Sequence, residues 1–130
     1  MIVEDGKKAL ARMIAIIFDE IQLGNGSDDT SARQKKLDNA ITGKKTASSV
    51  TVLNNQVIYE VTFSGSDING TNISELGLFS GLSVVPSSGD ILSAYREQMN
   101  DKLLSRVNFN SIGPIASNDS VTFTFVMEVE

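Results

Sequence analysis

The chain has 130 residues, 41% of them hydrophobic, enough for one domain with a single core and too few for a second. Sixteen acidic against eleven basic side chains give a net charge of -5, so the field repels polyanions and a nucleic-acid partner is not expected. Cysteine, histidine and tryptophan are absent. That excludes disulfides, thiolate or imidazole metal sites and the usual histidine-based triads, and leaves the core to Val, Ile, Leu, Met and a few Phe.

Residues 3–18 are rich in helix formers and carry Leu10, Met13, Ile14 and Ile17 at helical spacing, which predicts an N-terminal helix. Ile16 and Phe18 widen the apolar surface, so the end of this segment either continues the helix or opens a buried strand into Ile21-Gln22-Leu23. The apolar run 13–18 is short and follows Glu4 and Asp5, so neither a signal peptide nor a membrane span is expected. Gly24-Asn25-Gly26-Ser27-Asp28-Asp29 reads as a turn, after which Asp29 or Thr30 is placed to cap a short polar helix or turn reaching Lys36.

From Ala47 the period changes to two. Val50 and Val52, then Val57, Tyr59, Val61 and Phe63, alternate with polar residues and predict two strands with one buried face, joined through residues 53–56. Asn69-Gly70 within residues 67–72 favours a type I′ turn and a chain reversal. Strands follow at 72–79 and 102–109. Between them Pro86-Ser87-Ser88-Gly89 marks an exposed loop, and residues 91–99 suit a helical turn. The segment 119–130 places Val121, Phe123, Phe125, Met127 and Val129 on one face of a final strand. The expectation is a mainly β single domain over 1–130, a β-sandwich or jelly-roll-like fold with a helix over 1–18 and its main strands over 48–130.

The order of three segments, Ile73-Ser74-Glu75-Leu76-Gly77-Leu78-Phe79, then Leu103-Leu104-Ser105-Arg106-Val107-Asn108-Phe109, then the long alternating strand, resembles small structural proteins of tailed-phage particles. The opening segment 3–13, the Ile21-Gln22-Leu23-Gly24-Asn25-Gly26 element and the polar stretch from Asp29 to Leu37 are similar to that family in the same order. Residues 80–101 depart from it, being longer and more polar than the tight turn the resemblance implies. The resemblance implies a non-enzymatic virion protein, made in the host cytoplasm, whose partners are the major capsid protein or other virion subunits. Capsid decoration or cement is the expected role, because no coiled-coil or fibre-like extension is present. A tail, baseplate or fibre-adaptor part is the alternative, and a carbohydrate-binding β-sandwich, with only Tyr59 and Tyr95 beside Phe as aromatic platforms, is a further one.

Glu75 and Arg106 stand in strands that can pair, so Glu75 is either a catalytic carboxylate or, with Arg106, part of a part-buried structural ion pair or an interface contact. The ion pair is favoured because no second acid or nucleophile completes a constellation. Residues 67–72 resemble the start of a calcium loop, but the twelfth position is Leu78 rather than a bidentate Glu. Gly24-Asn25-Gly26 lacks the Lys-Ser or Lys-Thr of a phosphate loop. Neither a metal nor a cofactor is expected. The Asn-x-Ser/Thr triplets at Asn25, Asn69, Asn72 and Asn118 read as chance features of polar loops. Docking onto subunits, by a homo-oligomer, is expected through two segments: 33–45, with Arg33, Lys35, Lys36, Lys44 and Lys45, and 82–99, with Val84, Val85 and Ile91.

Overall fold

The computed structural model describes residues 1–68, 70–81, 89 and 91–130. Helix α1, Glu4–Ile17, starts with two acids in its first turn, where they complement the positive end of the helix dipole. At Phe18 the backbone becomes extended (φ -107°, ψ 94°) and strand β1, Phe18–Gly24, begins at once. The choice left open at the end of the apolar run resolves as helix to Ile17 and strand after it. The buried face of α1 is set by Ala11 and Ile17, with Ile14 and Ala15 packed against the core. Leu10 and Met13, expected on that face, point to solvent instead. The helix lies on β1, β3 and β4, and small residues let it sit close to the strands, so the alanines take the contact that periodicity assigned to the larger side chains.

Two antiparallel sheets follow from the period-two segments. One has the order β2-β1-β5-β6, with β2 at Lys45–Thr46, β5 at Ile73–Ser80 and β6 at Leu103–Ile112. The other has the order β3-β4-β7, with β3 at Ser49–Leu53, β4 at Gln56–Ser64 and β7 at Ser120–Glu128. The fold is mainly β and sandwich-like, as expected, and β1 takes an interior place in the first sheet although it precedes residue 48. β3 and β4 form a hairpin on Asn54-Asn55, with Asn54 at φ 56°.

The strand parities agree with the sequence. Val57, Tyr59, Val61 and Phe63 face Met127, Phe125, Phe123 and Val121 across the β4–β7 ladder. Ile21, Leu23, Ile73, Leu76 and Leu78 supply the first sheet's share of the same cluster. Phe109 of β6 touches Phe123 of β7, ring centroids 5.9 Å apart, which joins an edge of one sheet to an edge of the other. Tyr59 is fully buried, and desolvation, reinforced by the charge of Asp19, raises its phenol well above the ordinary range.

The segment expected to make a hairpin after β4 does something else. β4 and β5 belong to different sheets, so residues 65–72 carry the chain across the sandwich, through the short helix α2, Gly65–Ile68, and Gly70 at φ 71°. Ile68 is fully buried and anchors that crossing, and its backbone oxygen accepts from the Thr71 N–H at 3.4 Å. Asn69 itself lies outside the described residues, as do Val84, Val85 and the loop at 82–88. Between β5 and β6 lie two single-turn helices, α3 at Ile91–Ala94 and α4 at Arg96–Met99. No helix among the described residues is long and apolar enough to cross a membrane, and no group of three His, Cys, Asp or Glu among them could hold a metal ion.

Candidate functional site

Alternation along β5 sends Leu76 and Leu78 into the core, so Glu75, Gly77 and Phe79 face the other side of the first sheet. That side is not left to water. Residues 25–42 fold across it, and Leu37, flanked by Lys36 and Asp38, is buried there. A Cβ on Gly77 would stand 2.7 Å from a Leu37 methyl and 2.8 Å from the Phe79 ring, so a bare backbone at this position is what lets the segment close down.

Glu75 and Arg106 meet beneath the segment. Arg106 lies opposite Gly77 and therefore diagonal to Glu75, whose direct cross-strand partner is Asn108. Arg106 Nε donates to Glu75 Oε1 at 2.8 Å, and the Asp38 N–H donates to the same oxygen at 3.0 Å. Glu75 Oε2 accepts from the N–H groups of Gly26 (2.6 Å) and Asn39 (2.9 Å). The guanidinium then reaches further into the segment: one terminal nitrogen donates to Asp28 O (2.7 Å) and Thr30 Oγ1 (3.0 Å), the other to Asp38 Oδ2 (3.0 Å). Thr30 Oγ1 donates in turn to the backbone oxygen of Arg106, so it stitches the segment to β6, and residues 30–36 form turns without a capped helix. Gly24 and Gly26 complete the fit, since a Cβ on either would come within 2.6 Å of Glu75 Oε2.

The expected ion pair is thus present, and both members are buried, Glu75 entirely and Arg106 at 5% exposure. Burial pushes the Glu75 carboxyl upward, but Arg106 and the backbone donors of Asn39, Asp38 and Gly26 outweigh it and hold the group below the ordinary carboxylate range. At neutral pH its oxygens are charged and committed to four donors, which is the chemistry of a brace. A depressed folded-state pKa contributes stability above the unfolded value and loses it as pH falls through the folded one. We therefore expect the melting temperature to drop as pH is lowered from about 5 towards 3, with a shallower drop in Glu75→Gln, as read by calorimetry across that window. Equal slopes in both proteins would refute the assignment of acid sensitivity to this carboxylate.

The basic stretch divides in two. Arg33, Lys35 and Lys36 project from the braced segment and are exposed. Lys44 is partly buried, pairs with Asp101 and lies 4.2 Å above the centre of the Phe79 ring; desolvation lowers its pKa against the raising charge of Glu20. Lys45 lies over Phe63 and donates to Thr62 O. Lys44 is thus tied into packing, whereas Lys45 stays exposed with its ammonium held by Phe63 and Thr62 O; Arg33, Lys35 and Lys36 face outward. Lys35, Lys36 and Lys44 border an open depression of about 430 Å³ that also touches Phe79, Asp38 and Asp101. Ile91, on α3, is 78% exposed and stands free of the core.

Of the partners that make the brace, Gly26 and Asp28 were expected only as parts of a turn, and Asp38 and Asn39 were not singled out by sequence reasoning. Only Leu37, apolar amid polar neighbours, signalled that this stretch returns to the protein. No protein-family model matches the chain, and a search of curated proteins finds no significant match.

Proposed function

We propose that this protein is a non-enzymatic structural subunit of a tailed-phage or phage-like particle, a decoration or cement protein that docks on neighbouring shell subunits through the braced segment. The observation that supports this reading is the use to which the Glu75–Arg106 pair is put. A buried ion pair adds little net stability over apolar packing, yet this one fixes a long polar segment that has one buried apolar anchor, Leu37. A loop held in one conformation loses less entropy when it binds. What it displays is Arg33, Lys35 and Lys36 on a chain of net charge -5, a local cationic surface suited to an acidic patch on a shell subunit. Many copies of a weak contact spread over a shell accumulate avidity.

The resemblance on which the particle reading rests serves a tail or adaptor part equally, and location separates the two. The carbohydrate-binding alternative is weakened because Tyr59 is a core residue, leaving Tyr95 as the exposed tyrosine. Electron microscopy of parent particles carrying the tagged protein should show many copies over the head; label confined to the tail would replace the decoration role with the tail one. Changing Arg33, Lys35 and Lys36 together to Glu should lower occupancy on particles about tenfold or more, the equivalent of ~1.4 kcal/mol, while the melting temperature stays unchanged. Wild-type occupancy for that variant would remove the segment from the docking surface.

A further inference from the structure

Helix α1 carries an apolar stripe on the side turned away from the domain. Ile2, Gly6, Ala9, Met13 and Ile16 recur at intervals of four, three, four and three residues, the spacing of a coiled-coil seam. Ile2 is 47% exposed, Met13 53% and Ile16 63%. Ile2 belongs to the stripe although it precedes the helix, since its methyl lies 3.3 Å from where a Gly6 Cβ would be. The core is already served by Ala11, Ile14, Ala15 and Ile17, so this second face is surplus to folding.

We propose that α1 is a self-association surface, paired with α1 of a second copy in antiparallel, two-fold fashion. The charges beside the stripe select this occupant. At 100° per residue, Asp5 and Arg12 lie on one flank, and Val3 (64% exposed) and Leu10 (37% exposed) on the other. A parallel pair would set Asp5 and Arg12 of each copy against Val3 and Leu10 of the other. An antiparallel pair brings like flanks together, so Asp5 of each copy meets Arg12 of the other and the apolar flanks meet each other. The point midway between residues 5 and 12 falls beside Ala9, which also sets Ile2 of one copy against Ile16 of the other. Gly6 and Ala9, the small members, then stand near the axis and leave room for Met13. The pattern is self-complementary, as an isologous interface requires.

The surface shares no residue with the basic segment, so the inference stands independently of the particle reading. A single helix pair is a small interface, and its dissociation constant should lie in the micromolar range. Sedimentation velocity of the full chain across a concentration series should show a monomer–dimer equilibrium. Ile16→Asp, at an exposed position, should abolish the dimer with the melting temperature preserved. Asp5→Arg should weaken it tenfold or more, and Asp5→Arg with Arg12→Asp should restore it. Ala9→Cys, in a chain with no other cysteine, should yield a disulfide-linked dimer under mild oxidation. A monomer at millimolar concentration, a dimer indifferent to Ile16→Asp, or a monomer that instead co-sediments with phospholipid vesicles through this helix would each overturn the proposal.

Discussion

Glu75→Gln should destabilise the domain by about 3–5 kcal/mol, the range for breaking a buried pair by removing one charge. An amide offers one acceptor oxygen where the carboxylate offers two. Whichever way the Gln side chain is turned, its NH₂ faces donors: Arg106 Nε and the Asp38 N–H on one side, or the Gly26 and Asn39 N–H groups on the other. Arg106 would keep Asp38 as a counter-charge, which limits the loss without cancelling it. The double variant Glu75→Leu with Arg106→Leu separates the ion pair from the loop it holds. Apolar replacement of a simple buried pair is often neutral or stabilising; here three backbone N–H groups would lose their acceptor, each at about 1–3 kcal/mol if left unsatisfied. Chemical denaturation of both variants is the measurement. A double variant as stable as the wild type would show that residues 25–42 fold without the brace.

A part-buried pair, as the sequence suggested, would have implied a loss of only about 1–3 kcal/mol. The difference lies in what covers it. Strand parity is a local property and was readable: Val57 to Phe63 and Val121 to Val129 alternate because each strand has one core face. The contacts that bury Glu75 come from Gly26, Asp38 and Asn39, 49, 37 and 36 residues away, and those of Arg106 reach back to Asp28 across 78. Backbone N–H groups carry no side-chain identity, so no residue pattern announces that they converge on one carboxylate. The helix illustrates the opposite difficulty. Its apolar side chains are local and visible, but they cover more than one face, and periodicity alone selected Leu10 and Met13 where packing selected Ala11 and Ala15.

The hairpin expected over residues 67–72 is not formed, because β4 and β5 lie in different sheets, and it was missed for a third reason. Turn chemistry states that the chain bends; it does not state which sheet receives the next strand. That choice follows from where Ile68 and Ile73, both fully buried, find cover. A resemblance built on segment order tolerates this ambiguity, because β5, β6 and β7 keep their order along the chain whichever sheet each one joins.

The final strand should show a graded response along its inner face. Phe125→Ala is expected to cost about 3–5 kcal/mol, the usual range for emptying a core phenylalanine site. Phe125 is 8% exposed, lies opposite the fully buried Tyr59 and meets its ring at a centroid distance of 6.2 Å. Tyr59 belongs to the middle strand of its sheet, where neighbours on both sides limit collapse into the cavity. Phe123 is only partly buried and contacts Phe109 of β6 at the open edges of the two sheets. Less area leaves water in its native state, so Phe123→Ala should cost about 2 kcal/mol. Val126, of the opposite parity and 51% exposed, serves as the control: Val126→Thr should stay within about 0.5 kcal/mol. Equilibrium urea unfolding of the three variants tests the order directly. A loss at Val126 as large as that at Phe125 would mean that the outer face of the three-stranded sheet is covered in solution, and that β7 is packed on both sides.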